Sequence, residues 1–350
     1  MKPGRTAREG SNLGPAKSRA RLLAAFALRK VRDLVVTLAL MSLLVFFLFY
    51  IIPGDPVTMI LGTEASPAKR AALEDLLGLQ ESAPKRYLQS VTGLFSDQNP
   101  SLSLRFQQPV RDLIGPRLAL TCRMAFLAFG IVVLLVIPLG LGLALHRGSW
   151  LDRLLCGLGE FFMAIPGYFL GLVLILLFAF VFKSFTPGSY QGPEAGWGPH
   201  LTSLALPCLA LALPKLAQAL LFFRTALAEA QDQDYVRTAR SKGASRGRIV
   251  AFHLIRNALL PLVTSLGLIL ADLITGSLIV EQVFVLPGAG RLLLTAIEAR
   301  DLPLAQALIL SIATLVVVIN VLVDLVNALI DPRLVSAASQ AGRGEDAFNV

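Results

Sequence analysis

Six ionisable residues interrupt the apolar runs of this 350-residue chain: Arg123, Glu160, Lys215, Asp272, Glu281 and Asp324. An ionised group in hydrocarbon is costly, so such residues pair, reach toward water or line an aqueous path. The chemistry open to them is charge pairing, proton relay or contact with a charged solute. Arg123, Lys215 and Glu281 stand close to the ends of their runs and are expected to snorkel. Glu160 lies about two turns into its run, Asp272 near the middle of its own, and Asp324 in the inner half of the last. Asp272 is expected to face a pore or to pair, with Lys215 as the candidate partner. For this set, a structural ion pair and a transport contact are equally open.

Covalent chemistry has little support. No Gly-x-x-x-x-Gly-Lys-Ser/Thr loop occurs, so this chain is not an ATPase by that route. His-Glu-x-x-His is absent, and the one Gly-x-Ser-x-Gly match, Gly243-Ala-Ser245-Arg-Gly247, lies in a basic segment between spans rather than at a strand-to-helix turn, so no catalytic residue is assigned. Cys122, Cys156 and Cys208 lie in or at apolar runs without paired spacing, and His146, His200 and His253 are scattered. The cysteines read as packing residues, and no metal or cofactor site is assigned.

These residues must be positioned by membrane helices. The chain is 55% hydrophobic and 16% charged, with a mean hydropathy of +0.68. A soluble chain carries about a quarter charged residues, so the apolar excess calls for a bilayer. Runs of length sufficient to cross it fall at 34–52, 118–145, 154–182, 201–223, 261–284 and 304–330. Pro166-Gly167 should kink or loosen the third. Residues 1–33 read as a flexible basic tail, 53–117 as a long outer loop closing off the first span with Pro53-Gly54-Asp55-Pro56, and 334–350 as a loose polar tail. Helical spacing is expected at 67–78 and more weakly at 85–95. The first run is too long for a signal peptide and lacks a cleavage site. With both termini inside, inner segments hold 20 Lys/Arg and outer ones 10, 7 of them in the long loop where the rule weakens. The net charge of +9 is therefore placed for topology, and no nucleic-acid partner is implied.

Between the fourth and fifth spans runs a polar, basic segment, 224–260. Within it, Asp234 to Ile249 reads as two short helices joined by a bend. The first ends at Gly243, which tolerates the left-handed conformation, and Ser245 is a candidate cap for the second. Its Arg237, Arg240, Lys242, Arg246, Arg248 and Arg256 also suit anionic lipid headgroups.

The words Tyr235-Val-Arg-Thr-Ala-Arg-Ser-Lys-Gly243 and Arg256-Asn-Ala-Leu-Leu-Pro261 resemble the EAA loop of permease subunits of ATP-binding cassette importers, in the dipeptide/oligopeptide/nickel branch. Thr238 stands where the general motif has Glu, Ala239 and Arg240 follow, and Gly243 is its Gly. The stretch from 53 to 79 and the turn Pro287-Gly288-Ala-Gly290-Arg291 with Arg300-Asp301-Leu-Pro303 are similar to the same branch, so the resemblance covers roughly residues 30–333. It implies an all-α, polytopic type I importer permease of six spans in the bacterial inner membrane, with residues 34–333 as the transmembrane domain. It also implies a second, similar permease completing a heterodimeric pore, two ATPase subunits that use ATP and Mg, and an external solute-binding protein facing the long outer loop. Tyr235, Thr238, Ala239, Arg240, Gly243, Asn257 and Pro261 would form the coupling loop. The alternatives from other classes are an ion-coupled secondary transporter using Glu160, Asp272 and Asp324, and a non-transporting scaffold. Six spans without an evident inverted repeat weigh against the former.

Overall fold

The computed structural model describes residues 15–51, 57, 66–68, 70–71, 81–93 and 101–330. The described residues are overwhelmingly helical, and no strand appears among them. Helix α1 (Pro15–Ile51) already corrects one expectation, because residues 15–33 continue the first span as helix. Pro15 opens it at the one position where proline costs nothing, and no Gly or Pro interrupts the following 36 residues. Positive charge alone does not stop a helix.

In the long loop after the first span, α2 (Ala83–Gly93) fills the weaker of the two expected positions, while most of 67–78 lies outside the described residues. Helix α3 (Val110–Leu145) begins eight residues before its apolar run. Then α4 (Trp150–Ala164) and α5 (Gly167–Ile175) meet at 99°, with Pro166 as N-cap of the second. A π turn, Leu176–Val181, extends α5. The third span is thus two helices, a far sharper break than a kink.

Helix α6 (Trp197–Gln231) carries Pro207 and Pro214 without stopping. Across a short turn lies α7 (Asp234–Ser241). Arg246–Ile249, a π turn at Val250–Leu254 and α8 (Ile255–Val283) follow as one helical path. The second short helix expected in the basic segment is therefore the first turn of the fifth span. No Gly or Pro separates Arg248 from Leu260, which leaves nothing to stop it. Helices α9 (Ala289–Glu298) and α10 (Leu302–Ile330) complete the chain.

Helix α6 is the hub. It packs on α3, α4, α5 and α8, while α1 lies against α10 at the periphery. Phe223 of α6 is fully buried where Gly140 of α3 leaves room, since a Cβ at 140 would come within 2.3 Å of its ring. Among the described residues, five helices are long and apolar enough to cross a membrane, and the bent α4–α5 pair makes up to six.

Candidate functional site

The segment at the C-terminal end of α6 is assembled from local signals. Helix α7 is amphipathic: Val236 is 1% exposed, and Ala239 and Ala244 pack on the main core, while Thr238 and Arg240 face outward and Tyr235 is exposed. Its end is a Schellman turn. The Ala244 N–H donates to the Ala239 carbonyl at 3.1 Å, the Gly243 N–H to Arg240 at 3.0 Å, and Gly243 sits at φ +79°. A Cβ there would meet no atom within 4 Å, so its cost is backbone strain alone. Asn257 is exposed, and Pro261 lies inside α8, one turn further on. The result is an exposed basic knob, anchored by one valine and closed by one glycine.

Asp152 and Arg224 tie the start of α4 to α6. The Arg224 Nε and an Nη donate to the two carboxylate oxygens at 2.8 and 2.9 Å, Gly148 N–H donates to one of them at 2.9 Å, and the Asp152 side chain is 2% exposed. Arg147 adds a 3.2 Å bond to Gln231, three residues before α7. This clamp escaped the sequence reading. Its signal was present in Ser149-Trp-Leu-Asp152, a capping pattern in which the Ser149 hydroxyl accepts from the Asp152 N–H.

Among the charged residues within the spans, Lys215 Nζ donates to Asp272 Oδ2 at 2.7 Å, so the structure brings these two together. Glu160 is not with them; it lies exposed on α4. Asp324 is also elsewhere, 2.6 Å from Lys30 across the α1–α10 contact. Glu281 contradicts the expectation that it snorkels. It is 0% exposed and accepts from the Thr121 hydroxyl and from Gly290 N–H, the latter at 2.7 Å. The Pro-Gly-x-Gly turn wraps this carboxylate so tightly that a Cβ at Gly288 would fall 2.1 Å from it. Asp301 does similar work nearby. Its Oδ1 caps Leu304 N–H of α10 at 3.2 Å, while Oδ2 accepts from Ser103 and from Arg105 N–H, fixing the end of the long loop that precedes α3.

The arrangement is that of a membrane protein with a polar knob between spans and paired charges within them, and no group of three or more metal-ligating residues occurs among the described residues. The pattern describing the binding-protein-dependent transport system inner membrane component matches residues 136–336, and that of the N-terminal membrane component of such systems matches 23–125. The chain belongs to this family. It is a multi-pass permease of the binding-protein-dependent transport type. A Brucella melitensis protein named as a peptide transport system permease is 37% identical over 317 residues, covering 89% of this permease and 99% of that protein. The Escherichia coli dipeptide transport system permease DppB is 31% identical over 334 residues, covering 88% and 98%. A Sinorhizobium fredii protein named as a peptide ABC transporter permease is 31% identical over 309 residues, covering 88% and 98%.

Proposed function

We propose that this permease forms half of the pore of an ATP-driven importer of peptides or closely related solutes, and that α7 couples it to an ATPase. Support for the cargo class comes from the peptide systems after which its relatives are named. The observation that carries the coupling role is the exposed α7 knob, rooted through Val236 in the same core as α6 and α8. A second permease completes the path, two ATPase subunits bind ATP and Mg, and an external binding protein delivers the solute. Both termini lie on the ATPase side, as the lysine and arginine distribution favours. When ATP closes the ATPase pair, the docked knobs move together and the attached helices rock the path open to the outside. The motion is driven by the difference in ATP affinity between the open and closed states.

Gly243→Val tests this in the full complex. A β-branched residue at positive φ costs about 1–2 kcal/mol locally and disturbs the turn that presents Tyr235 and Ala239. The expected result is normal membrane levels of the permease, but weakened co-purification of ATPase subunits and loss of ATP-driven uptake. Unchanged assembly and uptake at normal protein level would sink the coupling role.

A further inference from the structure

The break in the third span and the Lys215–Asp272 pair share one cavity. A volume of about 270 Å³ is lined by residues that include Pro166, Gly167, Tyr168, Pro214, Lys215 and Asp272. Asp272 stands near the middle of α8 with its side chain 52% exposed, and Lys215 is 27% exposed. A half-exposed carboxylate at that depth does not face lipid; it faces an aqueous path or another protein. Its walls are mainly apolar, with Leu211, Leu273 and Ile279 among them, and Lys215 and Asp272 are its charged side chains. Helix α5 starts at Gly167, so its first N–H groups and the positive end of its dipole lie at the wall. One end of the site favours an anion, and Asp272 favours a cation.

We propose that this cavity is an ion-pair-exchange subsite on the translocation path, where a zwitterionic peptide opens the Lys215–Asp272 bridge. The peptide ammonium takes Asp272, and its carboxylate takes Lys215 beside the α5 N-terminus. Each protein charge passes from one opposite charge to another, so none is left uncompensated. A solute with a single charge satisfies one residue and strands the other, which selects for solutes that are net neutral but charged at both ends. Once the peptide leaves, the bridge re-forms and closes the empty site. The inference rests on the peptide-importer reading above and adds the residues that meet the cargo inside the membrane.

The test uses the complete importer in proteoliposomes with its binding protein, and radiolabelled dialanine and trialanine as probes. Asp272→Asn and Lys215→Met are compared with the exchanged pair Lys215→Asp/Asp272→Lys and the uncharged pair Lys215→Met/Asp272→Leu. Loss of a charge-assisted contact should lower uptake at least about tenfold in all four. Subunit assembly and binding-protein-stimulated ATP hydrolysis should persist in both paired variants, because neither leaves a lone charge. The exchanged pair should not rescue uptake, since it sets an aspartate where the peptide carboxylate belongs. Wild-type uptake in either paired variant would make the bridge structural and overturn the subsite. Failure of the uncharged pair to assemble would make the bridge a subunit contact and overturn it equally. A wild-type importer that hydrolyses ATP but carries neither probe would remove the peptide reading, and the subsite with it.

Discussion

Four carboxylates divide this permease into two kinds of region. Glu281 and Asp301 are both 0% exposed, and their partners are hydroxyls and backbone N–H groups. Asp272 and Asp324 are 52% and 42% exposed, and each meets one lysine. Backbone donors cannot swing away without unfolding a turn, so the first pair fixes shape. A lysine on a flexible stem can leave and return, so the second pair suits places where contacts are remade. The type of partner separates the two roles better than the carboxylate or its place in sequence.

The largest effect on stability should come from Glu281→Ala. It strands the Gly290 N–H in a buried site, where an unmet group costs about 1–3 kcal/mol, takes one partner from the Thr121 hydroxyl, which keeps the Arg117 carbonyl and the Ala289 N–H, and leaves a cavity. We expect a fall of about 3 kcal/mol or more, read as a large drop in thermal unfolding temperature in detergent and poor recovery of folded protein, with Glu281→Gln much milder. Next is Asp301→Ala, which removes the α10 cap and frees the 101–105 segment. The expected loss is about 2 kcal/mol, and protease should cut the outer loop faster than in the wild type. Smallest is Lys30→Met, where a half-exposed pair contributes under about 1 kcal/mol. Its unfolding temperature should barely move. A Lys30→Met loss equal to that of Glu281→Ala would erase the distinction between the two regions.

Legibility in the sequence followed the same division. Gly243 and Pro166-Gly167 could be read because a left-handed turn and a missing backbone donor act within a few residues. Even there, the 99° angle was out of reach, since it depends on how α4 and α5 each pack against α6. Lys215 with Asp272 was legible as two opposite charges at depth needing an outlet. The burial of Glu281 was not, because its hydroxyl partner is Thr121, 160 residues earlier. The helical start of α1 was missed for another reason: a charged stretch was taken for a loose one. Asp152 with Arg224 was overlooked although half of its signal lay in Ser149-Trp-Leu-Asp152.

Helix α6 spans 35 residues, or about 52 Å at 1.5 Å per residue. His200 near its N-terminal end and Arg224 near its C-terminal end are both locked, the first to the Gln191 carbonyl and the second to Asp152. A rod pinned at both ends has a fixed phase. Deleting one residue between the pins would turn one end by about 100° against the other and shorten the rod by about 1.5 Å. Substitution in this stretch leaves that phase intact, whereas a gain or loss of length does so only in the loops on either side.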